Sequence, residues 1–275
     1  MARVTIPDIR RMKGEKRKIV MMTAYDFQMA AIIDRVGVEM VLVGDSGGRY
    51  LLGHEDNNSV TMDEMVLMTR SVSRAVKRAV VVGDMPFMTY QVSREEAIRN
   101  AGRLIQEGGA QAVKLEVGAD YGPTVEAVVK AGIPVMGHMG MTPMVNIGGG
   151  DYRNSEGRIV EEQIWRDARA LVEAGCFSLL FTGISPDLAR RITEEIPIPT
   201  LAGFGAGDDC DGQIGVTHSV LGFNVEELDR PRAVYGPLAA SFLEAARRFT
   251  EDVRAGKSVR SQRDRKEQPG TSKTS

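Results

Sequence analysis

The sequence predicts an α/β fold, a (β/α)₈ TIM barrel in which parallel strands alternate with helices. Three observations carry this. First, a quasi-repeat runs along the chain, in which an amphipathic stretch ends near a glycine and a short apolar run follows: DRVGVEMVLVGD, QEGGAQAVKLEVG, VKAGIPVMGHMG and VEAGCFSLLFTG. Glycine there can take the left-handed conformation that ends a helix, and the Val-, Leu- and Met-rich run reads as a strand buried on both faces. Second, there are eight such apolar runs in about 235 residues, the size of a (β/α)₈ barrel. Third, the turn after the first run reads TAYDFQMA, without the GxGxxG signature that opens a doubly wound dinucleotide-binding sheet.

The strands are predicted at 18–25, 40–44, 79–83, 112–117, 134–138, 177–182, 199–204 and 212–217. Helix starts are marked independently. Thr61 with Glu64 and Ser93 with Glu96 match capping boxes, and Ser185 before Pro186 matches an N-cap followed by proline at the first helical position. After Gly222 the pattern changes. PLAASFLEAARRFTEDVRAG predicts a last helix near 238–255 that no strand follows, with Leu238, Phe242, Ala245, Ala246 and Phe249 on one face that needs a neighbour. Residues 1–255 are therefore expected to form a single barrel domain with a C-terminal helix. Residues 256–275 are polar and basic with few large apolar side chains, and are expected to be a disordered tail.

Composition excludes several function classes. Lys and Arg total 35 against 37 Asp and Glu, a net charge of -2, so no excess basic field exists for nucleic acid or an anionic membrane, and neither is an expected partner. The two cysteines, Cys176 and Cys210, form no CxxC pair and fit a reducing compartment. The first residues interleave charges too densely for a signal peptide, and no apolar run is long enough to span a bilayer, so a cytoplasmic location is expected.

In a barrel the chemistry lies at the carboxyl ends of the strands. Here those ends are acidic: VLVGDSGG brings Asp45 and Ser46, VVVGDMPF brings Asp84, and AVKLEVG brings Lys114 and Glu116. Asp45 and Asp84 taken singly could merely cap turns or helices. Lys114 and Glu116, however, are two apart in a strand and point to one face, where unpaired charge is costly. A hard divalent cation such as Mg²⁺ accounts for the set, with Asp45 and Asp84 as ligands and Glu116 as a direct or water-mediated one. Such an ion suits a 2-oxo acid, whose carboxylate and carbonyl oxygens chelate it together, and Lys114 would face the substrate's charge. The alternative for Lys114, a Schiff base, leaves the carboxylates unexplained. His138, ending the fifth strand, is placed to touch substrate, although a hydrogen-bonded histidine without duty is nearly as good a reading. His54 and His218 lack ligand spacing, and the Gly-rich GFGAGDDCDGQ at 203–213 is only a weak anion-cradle signal. The 15 methionines read as core filler.

The runs KGEKRKIVMMTAYD, VLVGDS, SVTMDEM, VVVGDMPF, AVKLEVG, GIPVMGHMGMTP and GAGDDCDGQ resemble, in order and spacing over about residues 3–225, the ketopantoate hydroxymethyltransferases. The resemblance implies a homo-oligomeric, Mg²⁺-dependent barrel of the phosphoenolpyruvate mutase and isocitrate lyase superfamily. It implies transfer of a one-carbon unit from 5,10-methylenetetrahydrofolate to 3-methyl-2-oxobutanoate in pantothenate biosynthesis. By the same resemblance Asp45, Asp84 and Glu116 match metal positions, and Asp45, Ser46, Asp84 and Lys114 match oxo-acid contacts.

The match breaks at the end of the sixth strand, where the family carries a Glu as the base for the substrate's C3 proton and this chain has Thr182 in LLFTGISP. A hydroxyl needs a partner to take its proton. Candidates for a substitute base are His138 and, after the seventh strand, Asp208, Asp209 and Asp211; without one, C3 proton exchange is expected to be weak or absent, slower by about 10²–10⁴, and Thr182→Glu should raise it. Other departures are LAGFGAG, His218-Ser219, Met144 in GMTPM, and GHEDNNSV after the second strand. Three readings follow: the family's hydroxymethyl transfer, an aldol, retro-aldol or decarboxylative step on another 2-oxo acid, or an inactive barrel kept for assembly or ligand sensing.

Overall fold

A computed structural model of the chain describes residues 2–141, 160–232 and 235–257. Met144 and residues 258–275 of the expected tail lie outside them. The chain forms two compact units, one ending at Val216 and one beginning at Thr217.

The first unit is a closed barrel of parallel strands in sequence order, β1 (Ile19–Thr23), β2 (Met40–Val43), β3 (Val80–Asp84), β4 (Ala112–Glu116), β5 (Val135–Gly140), β6 (Ser178–Thr182), β7 (Thr200–Ala202) and β8 (Gly212–Gly215), with β8 pairing back on β1. The predicted (β/α)₈ class and all eight strands are found. The helices are α1 (Ile6–Gly14), α2 (Phe27–Val36), α3 (Met62–Ala75), α4 (Arg94–Gln106), α5 (Gly122–Lys130), α6 (Glu161–Glu173) and α7 (Pro186–Glu195). Thr61 and Glu64 close a full capping box, Ser93 accepts from Glu96 N–H, and Ser185 accepts from Leu188 N–H behind Pro186. Gly37 ends α2 with φ of 96°, the left-handed value that the quasi-repeat called for.

One connection is a loop, as the Gly-rich run at 203–213 reads in the sequence. No helix follows β7: residues 203–211 run directly from its carboxyl end to the amino end of β8. Gly203, Gly205 and Gly207 in nine residues deny that segment helix propensity, and Asp211 instead ties the strand starts together, accepting from Thr200 N–H at 2.9 Å and pairing with Lys13 at 2.8 Å.

Strand side chains alternate between lumen and helices. Met21, Met40, Leu42, Val80, Val82, Ala112, Met136, Leu180 and Leu201 fill the lumen together with Ile9 and Met12, which α1 inserts as a floor. Val41, Val43, Val81, Val113, Leu115, Leu179 and Phe181 face outward into the layer shared with the helices. Both cysteines are buried and free, and burial pushes the Cys176 thiol up to about 12.

The second unit contains α8 (Thr217–Val220), a 3₁₀ turn (Val225–Leu228) and α9 (Leu238–Arg254), close to the predicted last helix. Within it Phe223 packs between the rings of His218 and Phe242. Among the described residues no helix is long and apolar enough to cross a membrane.

Candidate active site

The alternation that puts Val80, Val82, Ala112, Met136 and Leu180 in the lumen also puts Asp84, Lys114, Glu116, His138 and Thr182 there, one or two residue pairs nearer the carboxyl ends. Register then fixes the neighbours. Asp84 is the cross-strand partner of Lys114, and Glu116 is that of His138. A polar layer therefore sits directly on the apolar filling.

Lys114 Nζ lies 2.9 Å from Asp84 Oδ1, 3.4 Å from Glu116 Oε1 and 3.0 Å from His138 Nδ1. His138 Nδ1 is also 3.1 Å from Glu116 Oε1, while its Nε2 is 2.9 Å from Thr182 Oγ1. Asp84 Oδ2 accepts from Asp45 N–H at 3.0 Å, which brings the residue after β2 to the layer. The structure thus brings Asp45, Asp84, Lys114, Glu116, His138 and Thr182 together, and Ser46 follows Asp45 with its hydroxyl 2.9 Å from Tyr25 OH.

The electrostatics are unbalanced. Asp84 is completely buried, and Asp45, Lys114 and Glu116 nearly so. Burial raises the Asp45 carboxyl well above its ordinary value, the Asp84 charge adding to this, and burial raises Asp84 as well. For Lys114 burial works against the charged form, but Asp84, Glu116 and Asp45 outweigh it and hold the ammonium. A lysine surrounded by carboxylates lacks the apolar or cationic surroundings that activate a Schiff-base lysine, which disfavours that alternative. His138 is kept neutral by burial and by the neighbouring ammonium. Three carboxylates thus share one resident cation, and Asp45 Oδ2 is buried with no hydrogen-bond partner.

Three contributors were not picked out from sequence. Asn57 donates to Asp45 Oδ1 at 3.2 Å, Tyr25 holds Ser46, and the Tyr90 hydroxyl donates to the Glu116 backbone carbonyl at 2.9 Å. Tyr25 was accessible in principle, since it stands two residues past β1 at a strand end; Asn57 reaches back twelve residues along a loop and carries no local signal.

Other candidates fall elsewhere. His54 pairs with Glu64 on α3. Asp208 and Cys210 take Lys18 Nζ on their backbone carbonyls and Asp211 takes Lys13, so the 208–211 stretch sits at the floor, and neither Asp208 nor Asp211 is placed to act as the base.

Residues 3–258 match the family described as Ketopantoate hydroxymethyltransferase. The chain is 50% identical over 254 residues to a 3-methyl-2-oxobutanoate hydroxymethyltransferase of Pelobacter propionicus, covering 92% of this chain and 94% of that protein. It is 48% identical over 259 residues to the enzyme of the same name from Moorella thermoacetica, covering 93% and 95%. Among solved structures, a 2,3-dimethylmalate lyase of the PEP mutase/isocitrate lyase superfamily matches with a TM-score of 0.63 at 19% identity, covering 90% of this chain and 87% of that one. A phosphonopyruvate hydrolase complexed with oxalate and Mg²⁺ matches with a TM-score of 0.63 at 15% identity, covering 98% and 92%; at such identities the likeness shows the fold. Strand-end residues, closed barrel and near-complete matches to named relatives lead to one assignment: the chain belongs to the ketopantoate hydroxymethyltransferase family.

Proposed function

We propose that the protein is a Mg²⁺-dependent transferase that adds a hydroxymethyl group to 3-methyl-2-oxobutanoate, with 5,10-methylenetetrahydrofolate as the one-carbon donor. The observation that carries the metal is the buried charge imbalance, with Asp45 Oδ2 lacking any partner. Among the described residues no three His, Cys, Asp or Glu side chains converge to hold an ion unaided. Mg²⁺ takes one or two carboxylates and completes its shell with water and substrate. Asp45 and Asp84 would hold it, with Glu116 reaching it through water because its Oε1 already faces Lys114 and His138. When bound, the ion supplies Lewis-acid polarisation of the substrate carbonyl.

The chain's own groups do the rest. Asp84 and Glu116 keep Lys114 protonated beside the place where negative charge develops, an arrangement that costs no reorganisation during reaction. Ser46, oriented by Tyr25, offers a hydroxyl to the oxo acid. His138 stands at the same layer as a substrate contact.

The test is product formation followed by NMR, with Mg²⁺, the oxo acid and the folate donor. The hydroxymethylated acid is expected. Thr182 favours a second reading, cleavage chemistry on another 2-oxo acid, which needs no C3 base. Binding of Mg²⁺ and 3-methyl-2-oxobutanoate without that product, together with turnover of a different 2-oxo acid, would establish this reading, and metal binding with no turnover at all would establish an inactive barrel.

The reading includes a cytoplasmic, homo-oligomeric protein. On α9, Leu238, Phe242, Phe249 and Val253 are exposed, and none of its residues is buried within the chain. Such an apolar face is a liability in a free monomer. Light scattering at micromolar concentration should therefore give a multiple of the 30.0 kDa chain mass; a monomer would refute this part.

A further inference from the structure

We infer that Thr182, His138 and Glu116 form a hydroxyl–imidazole–carboxylate relay that removes the C3 proton of the 2-oxo acid, in place of a carboxylate base. The inference rests on the proposed oxo-acid substrate. Sequence alone predicts slow or absent C3 exchange, because Thr182 had no assigned partner. The structure supplies one: His138 Nε2 stands 2.9 Å from Thr182 Oγ1, and His138 Nδ1 stands 3.1 Å from Glu116 Oε1.

Position supports the direction of transfer. Thr182 ends β6 and is partly open, whereas His138 is buried behind it on β5, so the hydroxyl is the group that meets substrate and the imidazole is the group that relieves it. Space around the hydroxyl is kept by a glycine. A Cβ at Gly203 would lie 2.7 Å from Thr182 Oγ1, so a side chain there would displace it.

The imidazole has two claims on Nδ1. The Lys114 ammonium at 3.0 Å would donate to it, which leaves the ring proton on Nε2; Glu116 would accept from it, which leaves the Nε2 lone pair facing Thr182. An anionic oxo acid that draws the ammonium toward itself settles the competition for Glu116. The relay is then armed only with substrate in place.

The step balances as follows. The C3–H bond breaks and its electron pair stays on the substrate as the enolate, while the proton forms a bond to Thr182 Oγ. The original Thr182 O–H bond breaks and its proton goes to His138 Nε2. The resulting imidazolium is held by the Glu116 carboxylate through Nδ1–H. Thr182 is the catalytic hydroxyl, and His138 and Glu116 act through it.

The experiment follows deuterium uptake at C3 of 3-methyl-2-oxobutanoate by NMR in D₂O with Mg²⁺ and no folate, alongside calorimetric affinity for the oxo acid. The natural protein should exchange. Thr182→Val, which keeps the shape and loses the hydroxyl, should bind the oxo acid equally and exchange about 10²-fold more slowly or worse. Thr182→Ser should retain exchange, and His138→Gln should lose it. Thr182→Glu should restore it in the His138→Gln background, because a carboxylate needs no imidazole behind it; a merely structural histidine would give no such rescue. Nitrogen-15 spectra of His138 should show the proton on Nδ1 once the oxo acid is bound. Undiminished exchange in Thr182→Val would overturn the relay, as would a natural protein that binds the oxo acid and does not exchange it; both leave the substrate assignment standing. A natural protein that does not bind the oxo acid overturns the substrate assignment and the relay together.

Discussion

Asp84→Asn should abolish Mg²⁺-supported binding of the 2-oxo acid while leaving the barrel folded. The substitution keeps the volume of a completely buried side chain and retains an oxygen to accept from Asp45 N–H, but it removes one of the two charges proposed to hold the ion. Changing an outer partner of a metal site already costs roughly 10–100-fold in affinity, so loss of a direct ligand is expected to cost more than about 100-fold. Calorimetric titration reads this directly. A thermal readout accompanies it: saturating Mg²⁺ at about 100 times its dissociation constant stabilises a binding-competent fold by about 2.7 kcal/mol, and the variant's melting temperature should not respond. Unchanged affinity for Mg²⁺ and for the oxo acid would mean that the site lies elsewhere.

Gly140→Ala should produce the largest loss of stability among single-methyl additions near the site. Gly140 ends β5 with φ of 104°, where L side chains are strained, and a Cβ there would lie 2.0 Å from the Thr182 backbone carbonyl. That same carbonyl accepts from Met141 N–H at 2.8 Å, so it has no freedom to retreat without breaking the β5–β6 junction. Backbone strain and the clash together are expected to cost on the order of 3 kcal/mol, or ~10 °C in melting temperature for a unit of this size. Because Thr182 must move, C3 exchange should fall as well. A variant with natural stability and natural exchange would show that the β5–β6 junction does not set the position of Thr182.

Sequence periodicity carried the strands and the parity of the site, because both are local. Lys114 and Glu116 had to share a face once β4 was recognised, whatever the fold around it. The contact between Glu116 and His138 was not legible, since it depends on β4–β5 register, which no single strand encodes. Thr182 and His138 are a diagonal pair on β6 and β5, with Cα partners Gly140 and Leu180 respectively, so even the register had to be known before the hydrogen bond could be seen. The misplacement of Asp208 and Asp211 has a similar cause. The Gly-rich run after β7 reads as a loop at a strand end, where chemistry is expected, and only the closed barrel reveals that it spans from the carboxyl end to the floor, where Lys13 and Lys18 take up its acidic and carbonyl groups.

The floor has a consequence for how the chain is made. Lys13 and Asp211 are 198 positions apart, and Ile9 and Met12 are covered only when the barrel they plug exists. β1 has β2 to pair with early in synthesis, but its other edge is unpaired until Gly212 arrives. Contacts of such long sequence separation are slow to form, and open strand edges are sites of mispairing. A growing chain therefore carries its first helix and one edge of its first strand unsatisfied through most of translation. Commitment to the native state comes with β8, so shortening the chain before that strand should yield an aggregating product rather than a smaller barrel.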